Sequence, residues 1–265
     1  MCRNHHWFER IAVIILISVT VFIGASLLAV ILGGLSALKE SVFSEEVQFS
    51  IKLSLITSII STSICILLAL PCAYALTRKD FPGKRLIESI IAVPLSMPYL
   101  VLGLCLLIIF SSPPGQFLKE IGFRVVFDPK GIVMAHIMVN LPFAVKTITS
   151  AFWDVDRRLE FIAGTLGADE WRRFSTITLG CCRREIISTC ILAWSRGMGE
   201  FGATLMLAGV TRMVTETLPA SIYLNISTGD NDMAMASATI LIAISMATML
   251  ITGALEKRSR KVMRK

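Results

Sequence analysis

Arg196 and Glu200 lie four residues apart in an otherwise apolar run, with Gly197, Gly199 and Gly202 around them. Four residues is one helical turn, so a continuous helix sets guanidinium and carboxylate on one face. There they can pair, which lowers the cost of holding either at membrane depth. Two chemistries fit these residues. In one, the ion pair is structural and locks helices inside a bundle; in the other, Glu200 forms part of a gate, because ionisable groups within a span usually face a pathway or a partner. The glycines permit close helix approach or a local break. Their GxGxxG spacing follows no strand and sits in no βαβ unit, so it is not read as a dinucleotide fingerprint.

The element carrying these charges belongs to a membrane protein. A hydrophobic content of 54% with 17% charged residues and a mean hydropathy of +0.72 exclude an ordinary soluble domain. Apolar runs predict spans over 11–35, 53–77, 89–110, 131–153, 186–211 and 233–255, each long enough at about 20 residues to cross the hydrocarbon as a helix. Alternating strands of the barrel type are absent from the sequence, so the expected class is all-α and polytopic, with six transmembrane helices. The first run, 11–35, is too long for a signal-peptide core and is read as a peripheral first helix.

Lys and Arg gather on one side of these spans. Arg3 and Arg10 precede the first; Arg78, Lys79, Lys84 and Arg85 follow the second; Arg157, Arg158, Arg172, Arg173, Arg183 and Arg184 follow the fourth; a basic tail at 256–265 follows the last. Cytoplasmic loops retain positive charge, so both termini are expected in the cytoplasm. The net charge of +7 is this topological signal, and no nucleic-acid partner is read from it. Cys65, Cys72, Cys105 and Cys190 fall within spans and act as small apolar residues; Cys181 and Cys182 lack a CxxC partner, and His5, His6 and His136 have no ligand spacing, so no metal is expected. Pro71, Pro94, Pro98 and Pro142 predict kinks in spans two to four, Lys146 is expected to snorkel to the interface, and the sequon at Asn225 is a weak pattern in an outer loop.

The longest cytoplasmic connection, 154–185, reads DVDRRLEFIAGTLGADEWRRFSTITLGCCRRE. Leu159, Ile162, Ala163 and Leu166 recur at helical spacing, Gly167 can take the left-handed conformation that ends a helix, and Asp169 is placed to cap the next. Two short amphipathic helices joined by a tight turn follow from this. Such a pair either rests on lipid headgroups or inserts its apolar face into a groove on a cytoplasmic partner.

LEFIAGTLGADEWRRFSTITLG resembles the cytoplasmic signature of ABC importer permeases, whose usual form is Glu-Ala-Ala, three residues, Gly, about nine residues, then Ile-x-Leu-Pro. Glu160, Ala163, Gly167 with Ala168, and Ile177, Thr178 and Leu179 carry the match; Phe161 and Ile162 depart from it, and Gly180 stands where Pro is usual. RGMGEFGATLMLAG with ETLPASIY at 216–223 is similar to the permease subunits of molybdate, tungstate and sulfate importers, the molybdate branch most of all. The resemblance covers roughly 48–255, taken as core helices two to six of a single permease domain spanning 1–265.

The resemblance implies the type I importer permease fold and a homodimer with a translocation path on its two-fold axis. Two cytoplasmic ATP-binding subunits would dock below, and an extracytoplasmic binding protein would deliver a tetrahedral oxyanion from above. Glu160, Ala163, Leu166, Gly167, Ala168, Ile177 and Leu179 would form the coupling helix region. Arg196, Gly199, Glu200, Gly202 and Thr204 would line the path or gate. A bare carboxylate repels a divalent oxyanion, so backbone N–H groups, Thr204 and Arg196 suit an anion better than Glu200 does. No cofactor is implied in this chain, which has no GxxxxGK[ST] loop and would itself hydrolyse nothing; ATP would be bound by the partner subunits. An ATP-independent anion transporter or channel is the alternative, and it would need no docking helix pair.

Overall fold

The computed structural model describes residues 5–262, with side chains described over 7–254; the side chains of the basic tail, 256–265, lie outside the described residues. Helices and their turns account for the described chain, and no strand occurs among these residues. Four helices are long and apolar enough to cross a membrane. They are α1 (His5–Phe43), α2 (Glu45–Arg78), α6 (Pro129–Trp153) and α13 (Asn231–Val262), and they contain the spans expected over 11–35, 53–77, 131–153 and 233–255.

The other two expected spans are not continuous helices. The run over 89–110 divides into α3 (Lys84–Ala92), a 3₁₀ turn (Val93–Leu95) and α4 (Tyr99–Ser111), and the two limbs bend by 112°. Pro98 has no N–H to give to the helix and disfavours the helical conformation at Met97, so the chain turns and restarts with Pro98 as the N-cap of α4. Pro71 and Pro142, by contrast, remain inside α2 and α6, so the sharp bend belongs to Pro94 and Pro98 alone. The run over 186–211 divides into α10 (Arg183–Met198) and α11 (Gly202–Leu207). Between these elements lie α5 (Pro113–Glu120) and the short hairpin pieces α7 (Arg157–Thr165), α8 (Glu170–Arg172) and α9 (Leu179–Cys181); α12 (Leu218–Thr228) precedes α13.

Small side chains set how closely the long helices approach. Ser50, Ser54, Ser58, Ser61, Cys65, Ala69 and Ala73 recur every three or four residues along α2, and all are buried. Against them α6 sets Ala144 and Ala151, likewise buried. Lipid tails are as apolar as leucine, so such a seam gains from backbone proximity and dispersion rather than from hydrophobic burial. At the C-terminal end of α2 the seam widens into a cluster of Leu76, Val145, Ile148, Phe152, Val155 and Cys182, on which Phe174 and Leu179 also pack. A second cluster joins α4, α6 and α11 through Leu102, Leu106, Val139, Ala203 and Leu207.

α1 contributes least to this interior. Its most apolar stretch has no buried residue, and the helix lies against α13, where the Oγ1 of Thr239 donates to the Val30 carbonyl at 3.4 Å.

Candidate functional site

At the break between α10 and α11 the expected ion pair does not form. α10 ends at Gly199, and Phe201, the N-cap of α11, has no side chain able to cap. Glu200 fills that role from one residue earlier: its carboxylate accepts from the Ala203 N–H at 2.7 Å and the Thr204 N–H at 3.1 Å, and from the Thr204 hydroxyl. A helix N-terminus presents unpaired N–H groups and a partial positive charge, which holds a carboxylate well. Glu200 is 2% exposed, so it faces neither a groove nor solvent in the protomer. Thr204 is likewise consumed by this cap and buried.

Arg196 goes elsewhere. Its Nε donates to Asn140 Oδ1 at 3.4 Å and its Nη2 to Tyr99 Oη at 2.9 Å, while the guanidinium lies 4.8 Å over the Phe143 ring. Because the helix stops at Gly199, the one-turn register that would have joined Arg196 to Glu200 is lost. Asn140, Phe143 and Tyr99 escaped the sequence reading, since nothing in 196–204 points to residues about 55 and 100 positions earlier.

The two helix breaks pack against each other. A Cβ on Gly202 would approach the Tyr99 Cβ to 3.1 Å and the Leu100 N to 3.3 Å; one on Gly103 would meet the Ala203 carbonyl oxygen at 2.6 Å. Glycine at 103 is therefore required by the approach of α11 to α4, and at 202 any side chain would have to push the start of α4 back slightly. Broken backbone at membrane depth is tolerated where it is enclosed by protein or lines a cavity, and here each break helps enclose the other. Gly199 makes no comparable close approach; its place is the C-cap of α10.

The hairpin over 154–185 follows its sequence signals closely. Asp156 caps α7 through the Arg158 N–H, Gly167 turns the chain at φ +88°, and Asp169 caps α8 by accepting from the Arg172 N–H at 2.8 Å. Arg173–Thr178 then forms a π-helical turn, whose extra residue per turn brings Thr178 inward. There its hydroxyl donates to Glu160 Oε1 at 2.7 Å. Arg78, the last residue of α2, donates Nε and Nη2 to the same carboxylate at 2.8 to 3.0 Å, and Arg157 Nη2 donates to the Thr77 carbonyl at 2.6 Å. On the surface Lys79 and Glu170 pair at 2.9 Å; their hydrogen bond and charges hold the Glu170 carboxyl below, and the Lys79 amine above, their ordinary values.

Glu160 is thus turned into the protein. Counting back from Gly167 by the signature's own spacing, its glutamate position falls on Phe161, which is 71% exposed. Leu166 and Gly167 form the tip, Leu166 being 82% exposed. Ala163 and Ala168 are half-buried on the inner side, as are Ile177 and Leu179; Leu179 packs on the cluster around Phe152. Gly180 introduces no bend of its own: α9 runs through it, and the restart falls at Cys182, whose thiol is held by the Ala151 carbonyl at 3.2 Å. Asn225, the sequon residue, is buried and accepts from Arg212, so it is no exposed acceptor for a glycan.

Residues 65–261 match the family described as binding-protein-dependent transport system inner membrane component. The chain belongs to this family. Among curated relatives, the molybdenum transport system permease protein ModB of Escherichia coli is 36% identical over 210 residues, covering 76% of this chain and 91% of that one. The sulfate transport system permease protein CysW of Synechococcus elongatus is 29% identical over 228 residues, 85% of this chain and 80% of the relative. The molybdate/tungstate transport system permease protein WtpB of Pyrococcus abyssi is 39% identical over 155 residues, 58% of each chain. In fold, this permease is similar to a chain of a bacterial alginate ABC transporter solved with an alginate-bound periplasmic protein, with a TM-score of 0.76, 17% identity, and coverage of 97% of this chain and 95% of that one. That likeness identifies the type I importer permease fold.

Proposed function

We propose that this permease is the membrane subunit of an ATP-driven importer of a tetrahedral oxyanion, with molybdate the leading substrate and tungstate or sulfate the alternatives. Two copies form the path, two ATP-binding subunits dock on the cytoplasmic hairpin, and an extracytoplasmic protein delivers the anion. Both termini lie in the cytoplasm, on the side of the basic loops.

One observation carries the docking role: a cytoplasmic helix presents apolar side chains outward while its inner face is tied to a membrane helix. Phe161, Leu166 and Trp171 are exposed, and the opposite face is fixed to the end of α2 by Arg78–Glu160, Thr178 and Arg157. Rows of exposed apolar residues mark interaction sites. A partner gripping Leu166 and Phe161 moves α7, and the buried ion pair passes that displacement to α2 and its seam with α6. This is rigid-body coupling through a packed element. The oxyanion assignment is supported by the relatives, which are named for molybdenum, molybdate/tungstate and sulfate transport.

The test is to co-purify the tagged chain with its ATP-binding subunit and assay hydrolysis with molybdate, tungstate and sulfate each on the cognate binding protein. Stimulation by one loaded binding protein supports the reading and names the cargo. Failure to recover an ATP-binding subunit, with anion flux in liposomes lacking ATP, would transfer the protein to the ATP-independent class.

A further inference from the structure

Arg196 stands at the far end of α10 from the basic residues Arg183 and Arg184, about 20 Å along the helix at 1.5 Å per residue. That distance puts it near the middle of the span. Among the described residues no carboxylate lies within ion-pair distance of it, because Glu200 is held by the N-terminus of α11. The guanidinium is positioned on one side only: Nε on Asn140, Nη2 on Tyr99 and its face on Phe143. Nη1 has no hydrogen-bond partner among the described residues, and Arg196 is exposed. An unneutralised cation at this depth is costly against hydrocarbon and stable against water or an anion. The guanidinium's planar fork suits two oxygens of a tetrahedral oxyanion.

The same stripe of α6 continues toward the basic side. Asn140, Phe143, Lys146 and Thr149 follow one another at intervals of three residues, so each neighbours the next while the row winds around the helix. Lys146 is exposed and has no ion-pair partner among the described residues. With Thr149, Glu88 and Trp153 it lines a cavity of about 320 Å³, and the buried Thr149 hydroxyl has no partner there. Glu88 lines the cavity without pairing with Lys146, among the apolar side chains of Leu76, Ile91, Pro142 and Val145.

Resting on the importer reading, we infer that Arg196 and Lys146 are successive stations for the oxyanion along this winding row of α6, with Asn140 and Tyr99 positioning Arg196. Arg196 takes the anion as a bidentate donor at mid-span. Lys146, a point charge on a flexible stem, takes it next and releases it to the cytoplasmic side.

The test uses the assembled complex of permease, ATP-binding subunit and loaded binding protein in proteoliposomes, reading labelled molybdate taken up per ATP hydrolysed. Arg196→Gln is expected to lower that ratio about tenfold, the scale of one lost charge-assisted contact. Asn140→Asp gives Arg196 a carboxylate of its own and lowers the ratio comparably, although it removes no cation. Arg196→Lys, which keeps charge without the fork, falls between, and Lys146→Gln lowers the ratio about threefold. An unchanged ratio in Arg196→Gln and Asn140→Asp overturns the inference; this is also the result expected if Arg196 merely holds a lipid phosphate. Should Arg196→Gln fail to assemble, a normal ratio in Asn140→Asp overturns it alone. If the unaltered complex transports none of molybdate, tungstate and sulfate, the importer reading fails together with this inference.

Discussion

Two glutamates in this permease are satisfied in opposite ways. Glu160, on the hairpin, takes a charged partner: Arg78 from the end of α2, with Thr178 adding a hydroxyl. Glu200, inside a span, takes none and is held by two backbone N–H groups and the hydroxyl of Thr204. A long-range ion pair ties two elements together and transmits displacement between them. A backbone cap stabilises only the helix it begins, and it leaves the nearest cation, Arg196, free of a carboxylate. In the proposed importer the hairpin is the part that is pushed, whereas the break in the span stays shaped while its arginine is exposed.

Removing Glu160 should do the most damage. Glu160→Ala strands Arg78, whose side chain is 6% exposed, and breaking a buried pair on one side costs about 3–5 kcal/mol. The expected outcome is loss of assembled complex by size exclusion, with partial recovery in an Arg78→Met, Glu160→Leu double variant; no recovery would mean that the pair is not the cause. Gly167→Pro comes next. The ring holds φ near −65° where the turn needs +88°, so ATP-driven uptake should vanish while the chain still inserts and dimerises; normal uptake would remove the coupling role from this turn. Glu200→Ala should cost about 1–3 kcal/mol by stranding buried donors, and Glu200→Gln less, because an amide oxygen can still cap. Thermal unfolding in detergent orders the two, and equal losses would show that the cap depends on charge.

The smallest effect belongs to the surface pair. Glu170 is held below the usual carboxylate range, first by the hydrogen bond from Lys79 and then by its charge. A depressed carboxyl contributes above its unfolded value and loses that contribution as pH falls through its folded value. Full exposure makes the contribution slight. Glu170→Gln should leave uptake near normal and remove a shallow acid-side decline in ATPase stimulation; a large loss of uptake would place Glu170 in the docking surface.

Local signals carried the hairpin. Its apolar periodicity, Gly167 and the cap at Asp169 act within a few residues of one another, so spacing alone specifies them. The four unbroken spans were legible for the same reason, since lipid demands a long apolar run with its backbone satisfied internally. The break at Gly199 was only half legible: the glycines allowed it, but a four-residue charge spacing argues equally for a continuous helix with an ion pair. Locating the signature's glutamate on Glu160 followed residue type, and the side-chain directions show Phe161 outward with Glu160 inward.

By itself, the sequence determined that this is a helical membrane protein with a structured hairpin between two spans, because hydropathy, helical period and turn chemistry are set by neighbours along the chain. Tertiary structure alone decided who partners whom. Arg78 meets Glu160, and Arg196 meets Asn140 and Tyr99, across separations of 56 to 97 positions. Such contacts depend on helix approach and on where a helix stops, which short-range spacing does not encode.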